Sequence, residues 1–275
     1  MKYDLLIQII NYNTKAYLKT CLESLLSDVK DLKQSNINYK IIILDNNSND
    51  DLKELEQLYS NSNSNVSFHY SKKNLGFGGG HNYISTLEDS KYLLILNSDI
   101  KFIEKNSVKR LYDSLINNPA YKVAGPKLVE EDLLQQKFDH GELQGVTAWI
   151  KNNYGSSYWK PRQEQAEAAW VSGAVFMIET QLFRDLKGFD ENFFLYKEEE
   201  DLCKRIRDKG EKILYNPAVS VMHYGHVVAK RSEHFSNSMN YYLDKHFRNN
   251  LSYKILHSFK VIRDLTLHGK VKERE

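Results

Sequence analysis

The sequence predicts an α/β fold: a mostly parallel central sheet flanked by helices, followed by a helical extension at the C-terminus. Three observations carry this. Short strand-like runs alternate with helical stripes through residues 5–97. The runs are apolar at nearly every position, as strands covered on both faces require. Several of them end in a cluster of polar residues, at the carboxyl edge where sheets of this kind bind ligands.

The elements follow in order. Leu5 to Ile10 is a strand, closed by the polar turn Asn11-Tyr12-Asn13-Thr14. Tyr17, Leu18, Cys21, Leu22, Leu25 and Leu26 recur at helical spacing. The strand Ile41 to Leu44 runs into Asp45-Asn46-Asn47-Ser48-Asn49-Asp50, and Leu52, Leu55, Leu58 and Tyr59 mark the next helix. Val66 to Tyr70 is a third strand. A glycine-rich turn and a helix through Tyr83, Ile84 and Leu87 follow, then the strand Tyr92 to Leu96 ending in Asn97-Ser98-Asp99. In the second half a helix over Val108 to Ile116 stops at Asn117-Asn118-Pro119. Residues 130–167 are polar and loop-rich, with Trp149, Tyr154, Tyr158 and Trp159 spread through them. These aromatics read either as a platform for a sugar face or as loop anchors. Trp170 to Ile178 reads as a strand, Leu202, Cys203 and Ile206 as a helix, and Lys212 to Tyr215 as a strand leading through Pro217 to Val219–His223. From Asn240 onward Leu251, Ile255, Phe259 and Ile262 share one helical face.

Composition bounds the function. The 275 residues are 41% hydrophobic, enough for a substantial core, and the net charge of +2 argues against nucleic acid as a partner. The 2 cysteines, Cys21 and Cys203, sit in helical patterns and suit a reducing cytosol. No run approaches the roughly 20 apolar residues of a membrane span, so a soluble, cytoplasmic protein is expected. Residues 245–275 carry eight Lys/Arg against three Asp/Glu, a balance of +5. That basic, apolar-faced tail fits peripheral contact with the inner face of an anionic membrane, or packing on the main domain or a second subunit of a homodimer.

Several residues have the chemistry of a site. Gly76-Phe77-Gly78-Gly79-Gly80-His81-Asn82 lacks both the dinucleotide fingerprint and the P-loop pattern. It reads as a loop whose backbone approaches a ligand closely, or as an ordinary strand-to-helix turn. Asp99, at a strand's carboxyl end, suits a hard divalent cation or a turn. Glu198-Glu199-Glu200-Asp201 opens a helix, where acidic residues are favoured by the dipole; the apolar Phe193-Phe194-Leu195-Tyr196 before it would also tune a carboxyl for proton transfer. His223 and His226 are either structural or metal-directed.

Together these residues resemble the family 2 glycosyltransferases of GT-A (Rossmann-like) fold, in particular the bacterial rhamnosyltransferase-like branch, from Leu5 to about Asn249. The resemblance implies nucleotide contacts from Asn11, Asn13, Asp45 and Asn47, from Asn74, Gly76, Phe77 and Asn82 in Asn74-Leu75-Gly76-Phe77-Gly78-Gly79-Gly80-His81-Asn82, and from Asn97 and Ser98. Asn97-Ser98-Asp99 stands at the family's Asp-x-Asp position and keeps only the last carboxylate. It implies Mg2+ or Mn2+ held by Asp99 with His223. The most specific stretch runs from Trp170-Val171-Ser172-Gly173-Ala174 through Gly188-Phe189-Asp190-Glu191 to Phe193–Leu202. It implies sugar contacts from Trp170, Ser172, Gly173 and Asp201. Glu199 falls where the family's catalytic aspartate would be, one methylene longer, with Glu198 as the alternative base. The implied organisation is a transferase domain over 1–230, with a nucleotide half 1–100 and an acceptor half 101–230, and an extension over 231–275. The implied activity is inverting, metal-dependent transfer from a nucleoside-diphosphate sugar (dTDP-rhamnose or a UDP-hexose) to a saccharide hydroxyl, on a lipid-linked acceptor if the enzyme builds cell-surface polysaccharide. The competing readings are a sugar nucleotidyltransferase, a glycoside hydrolase and a non-catalytic nucleotide- or carbohydrate-binding module.

Overall fold

The computed structural model describes residues 2–32, 34–144, 157–225 and 232–249 of the chain. Strand β1 (Tyr3–Asn11) leads to helix α1 (Lys15–Asp28), β2 (Tyr39–Asp45) to α2 (Lys53–Ser60), and β3 (Val66–Tyr70) to α3 (Gly76–Ser85). Then come β4 (Ser90–Asn97), β5 (Ile100–Phe102), α4 (Ser107–Ile116) and β6 (Tyr121–Val129). Short strands follow: β7 (His140–Gly141), β8 (Leu143–Gln144), β9 (Ser157–Tyr158), β10 (Ala166–Glu167) and β11 (Trp170–Val171). The described chain closes with β12 (Val175–Glu179), α5 (Thr180–Asp185), α6 (Glu198–Asp208), β13 (Lys212–His223) and α7 (Ser232–Phe247).

Among the described residues nine strands form one sheet, in the order β10-β13-β6-β12-β4-β1-β2-β3, with β5 on β13. The half β4-β1-β2-β3 is parallel throughout. Alternate residues of its strands feed two cores. Leu5, Ile7 and Ile9 pack with Leu18, Leu22, Leu55 and Leu111 on one face, and Leu6 and Ile95 pack with Ile84, Phe183 and Leu202 on the other. That two-sided burial is why the runs are unbroken.

The second half supplies the antiparallel part of this mostly parallel sheet. β12 is antiparallel to both β4 and β6, and β13 runs parallel to β6. The single strand expected over Trp170–Ile178 is two strands in two sheets, because the turn at Ser172–Ala174 breaks it: β11 pairs with β7 and β12 with β4. Conversely, the two strands expected around Pro217 are one. The register of β13 on β6 slips between Asn216 and Ser220, and this bulge accommodates a residue with no N–H to donate.

The glycine stretch is also not a loop before a helix. Residues 76–80 are already the start of α3, and their missing side chains admit other protein segments rather than open space. A Cβ on Gly76 would stand 2.6 Å from the Phe194 carbonyl oxygen, one on Gly78 2.8 Å from Phe189 Cβ, and one on Gly80 2.6 Å from Ile10 Cδ1. Helical glycine costs about 1 kcal/mol relative to alanine, and the close crossing of α3 over β1 and over the 189–194 segment offsets it.

Candidate active site

The sheet order reverses beside β1: β2 and β3 lie on one side, β4 on the other. At such a switch point the loops leaving adjacent strands part and open a crevice. Here it is a cleft of about 950 Å3, lined at its base by Tyr12, Asn46, Asn97, Ser98 and Asp99.

Asn11 and Asp45 lie beneath this floor, fully or nearly buried. The Asn11 side-chain amide donates to Asp45 Oδ1 at 2.9 Å and to Ser48 Oγ at 3.1 Å, while its carbonyl oxygen accepts from Thr14 Oγ1 at 2.9 Å. Both residues therefore shape the 45–50 loop. Asn13 accepts from the Asn49 backbone N–H at 2.8 Å and borders a separate hollow, and Asn47 is exposed in a left-handed conformation. The loop residue that reaches the cleft is Asn46. Its amide donates to Asn74 Oδ1 at 3.0 Å and to the Gly76 carbonyl at 3.1 Å, and its oxygen accepts from Leu75 N–H at 2.9 Å. Asn46 thus holds the 74–76 segment along the wall, where Asn74, Gly76 and the following Phe77 line the cleft. Asn82 does not reach the cleft. It makes a two-way clasp with the Phe189 backbone, accepting from its N–H and donating to its carbonyl, both at 2.9 Å.

Asp99 and His223 meet at the end of β4 and β13. His223 Nε2 lies 3.4 Å from Asp99 Oδ1 and 3.3 Å from the Asn97 amide. Burial by itself would raise the Asp99 carboxyl, but the hydrogen bond and charge of His223 hold it below the usual carboxylate value. His223 Nδ1 faces Gln136 Oε1 at 2.8 Å. A carbonyl oxygen accepts only, so Nδ1 carries a hydrogen in either form of the ring; Nε2 donates toward Asp99 when the ring is protonated and offers a lone pair when it is neutral, the form that a cation would take. An anionic carboxylate beside an oriented imidazole fits a divalent cation. Among the described residues no cluster of three or more His, Cys, Asp or Glu offers a full cage, so the remaining positions would fall to diphosphate oxygens and water, as Mg2+ and Mn2+ sites favour. His226 lies outside the described residues.

Elsewhere along the cleft lining, Tyr196 and Lys197 both have left-handed backbone, with φ 72° and 73°. This double kink turns the chain into α6 and sets Glu199 on the cleft surface. Removal from water, then the nearby Glu200 carboxylate, push Glu199 up to about 7. Glu198 points away from the cleft, buried, with Oε2 unpartnered. Burial, then the Glu199 charge, raise it well above the ordinary carboxyl value. Gly173 belongs to this junction, since a Cβ there would lie 3.1 Å from Phe77 Cζ and 3.6 Å from Glu199 Cβ.

A metal-suited pair and a proton acceptor thus face one crevice at the switch point of a GT-A sheet. The family model described as Glycosyl transferase family 2 matches residues 7–199, from β1 to Glu199 itself.

This chain belongs to glycosyltransferase family 2.

Rhamnosyltransferase WbbL of Escherichia coli is 26% identical over 255 residues, covering 88% of this chain and 90% of that protein. N-acetylglucosaminyl-diphospho-decaprenol L-rhamnosyltransferase of Mycobacterium tuberculosis is 25% identical over 144 residues, 48% of this chain and 47% of that protein. In fold, GalNAc-T7 solved with UDP, GalNAc and Mn2+ superimposes with a TM-score of 0.68 at 15% identity. The match covers 92% of this chain and 49% of that one, so the chain spans about half the length of that structure.

In this glycosyltransferase Trp170 and Ser172 line the cleft, Trp170 with its indole N–H buried and unpartnered. Asp201 does not. It is fully buried and bound by Arg205 Nε at 2.8 Å, Lys245 Nζ at 2.6 Å and His246 Nε2 at 2.7 Å. Of the aromatic platform, Trp159 donates its indole N–H to the buried Asp139 at 2.9 Å and anchors a loop, while Trp149 and Tyr154 lie outside the described residues. Two parts of the wall have no signal in the sequence. One is the segment 134–138 after β6; the other is α7, which contributes His234, Phe235 and Met239. Only the packing of α7 on the 193–197 segment places them there: Phe194 lies 5.1 Å from His234 and Tyr196 5.8 Å from Phe235, ring to ring.

Proposed function

We propose that this glycosyltransferase moves a rhamnosyl or other hexosyl unit from a nucleoside-diphosphate sugar to a hydroxyl of a saccharide acceptor, with inversion at the anomeric carbon. One observation carries the reading: Asp99 and His223 share a single cleft with Glu199, whose carboxyl is raised toward neutrality. Asn46, with Asn74 and Gly76 along the wall that it braces, takes the nucleotide. Glu199 removes the acceptor proton as the acceptor oxygen bonds to the anomeric carbon, and the bond from that carbon to the diphosphate breaks with its electron pair leaving on the nucleoside diphosphate. A divalent ion held by Asp99 and His223 would supply neutralisation of charge on the diphosphate. Trp170 and Ser172 bound the sugar, and the left-handed pair Tyr196–Lys197 fixes the approach of Glu199. Both full-length and partial relatives named as rhamnosyltransferases support the donor class. The partial relative's name supports an acceptor saccharide carried on a lipid diphosphate, and with it a role in cell-surface polysaccharide assembly.

The test is turnover of dTDP-rhamnose and UDP-hexoses with Mg2+ or Mn2+ and saccharide acceptors. Acceptor-dependent release of nucleoside diphosphate, lost in Glu199→Gln by about 100-fold or more with nucleotide binding intact, is the expected result. Pyrophosphate release, or undiminished transfer by Asp99→Ala, would overturn it.

A further inference from the structure

Four large apolar side chains are exposed on two segments that reach the cleft. Leu133 and Leu134, on the turn between β6 and β7, are 62% and 65% exposed, Phe138 is 39% and Phe194 43%. Leu134, Phe138 and Phe194 line the cleft itself. The turn is a fixed one. Leu133 N–H donates to the Glu130 carbonyl, Glu130 N–H to the Leu134 carbonyl and Leu134 N–H to Asp132 Oδ1, each at 2.9 Å. Leu133 holds φ at 66°, a region that large L side chains rarely occupy. A strained turn therefore keeps two leucines exposed beside the cleft, and large apolar side chains exposed together on one short segment point to a binding site. Lys137, exposed and lining the same stretch of wall, adds a cation next to Phe138.

The geometry points to this rim as the seat of the acceptor's isoprenoid chain, with Lys137 beside the diphosphate that joins chain to saccharide. The inference rests on the lipid-diphosphate acceptor proposed above. The rim is continuous with the cleft, so a chain lying on it leads its head group inward toward Glu199. Glu130, Glu131 and Asp132 stand on the same turn. Their charges disfavour seating on the face of an anionic bilayer; they oppose a diphosphate as well, so its placement depends on Lys137.

The experiment measures binding of geranylgeranyl diphosphate and of inorganic pyrophosphate to the full chain by calorimetry, with Mn2+ and UDP or dTDP saturating the donor site. The unsubstituted protein should bind the isoprenoid diphosphate at least about tenfold more tightly than pyrophosphate. The double variant Leu133→Ser/Leu134→Ser should lose that preference while keeping its nucleotide affinity and its melting temperature, and Lys137→Gln should weaken both diphosphates alike. Equal binding of the two ligands, or a preference that survives the double substitution, would overturn the proposal. So would a double variant that loses only sedimentation with phosphatidylglycerol vesicles, which assigns the rim to bilayer adhesion, or only self-association, which assigns it to a second copy. If nucleotide fails to bind while the isoprenoid preference persists, the donor reading falls and the rim stands.

Discussion

Glu199 is the proposed base. Its folded carboxyl takes up a proton at about 7 against an ordinary value of 4.5, through desolvation and the adjacent Glu200. A base must be free of its proton, so kcat/KM should rise with pH along a limb centred near 7, read from initial rates between pH 5 and 9. Stability runs the other way. The folded chain binds the extra proton between the two values, so the contribution of this group is complete below 4.5 and lost as pH rises through 7. The melting temperature of Glu199→Gln should therefore depend less on pH across that window than that of the unsubstituted protein, and an unchanged dependence would place the titration elsewhere. At His223, Gln136→Leu removes the acceptor that fixes the hydrogen on Nδ1. Loss of such an orienting partner typically costs about 10–100-fold in metal affinity, measurable as a raised Mn2+ requirement with the fold intact.

At the scale of elements, the opening of α3 shows why a glycine run need not be a ligand loop. The three close approaches differ in kind: Gly76 meets a backbone carbonyl at φ 71°, Gly78 meets the root of Phe189, and Gly80 meets the free end of Ile10. Alanine at 76 or 78 should destabilise by about 1–3 kcal/mol. At 80 the methyl displaces only a mobile terminus, and the helix-propensity gain of up to about 1 kcal/mol partly offsets it. Chemical denaturation of the three variants would check the ranking. Periodicity made the strands and helices of the first half legible, because both faces of β1, β2 and β4 are buried and α1 shows a clear stripe. It did not reveal β6, where Lys122, Gly125, Pro126 and Lys127 interrupt the apolar text, nor β5, which has only three residues. Strand partners supplied in space, β12 and β13, decide both.

Across the whole molecule, α7 is bound to the 190–201 segment at several points. Lys245 Nζ lies 2.6 Å from both Asp190 Oδ2 and Asp201 Oδ1, Tyr241 donates to Asp190 at 2.9 Å, and Ser238 donates to the Leu195 carbonyl at 2.8 Å. Burial alone would raise Asp190, but the Lys245 ammonium, the Asn192 groups and the Tyr241 hydroxyl bring it down to about 2. Lys245→Met should cost about 1–2 kcal/mol and raise KM for the acceptor more than for the nucleotide sugar, because α7 carries part of the cleft wall; equal effects on both substrates would detach α7 from the acceptor side. Among the described residues no helix is long and apolar enough to cross a membrane.

The sequence by itself determined the α/β class, the parallel half of the sheet, the order of the polar clusters along its carboxyl edge, and Asp99, Glu199 and His223 as candidates that turn out to line one cleft, since periodicity and local chemistry are written in neighbouring residues. Tertiary structure alone decided which asparagines face the cleft and which brace it, that Asp201 is a buried anchor, and that a turn at 133 and a helix at 232–247 complete the walls. Those outcomes depend on contacts between segments far apart in the chain, whose energies no local pattern encodes.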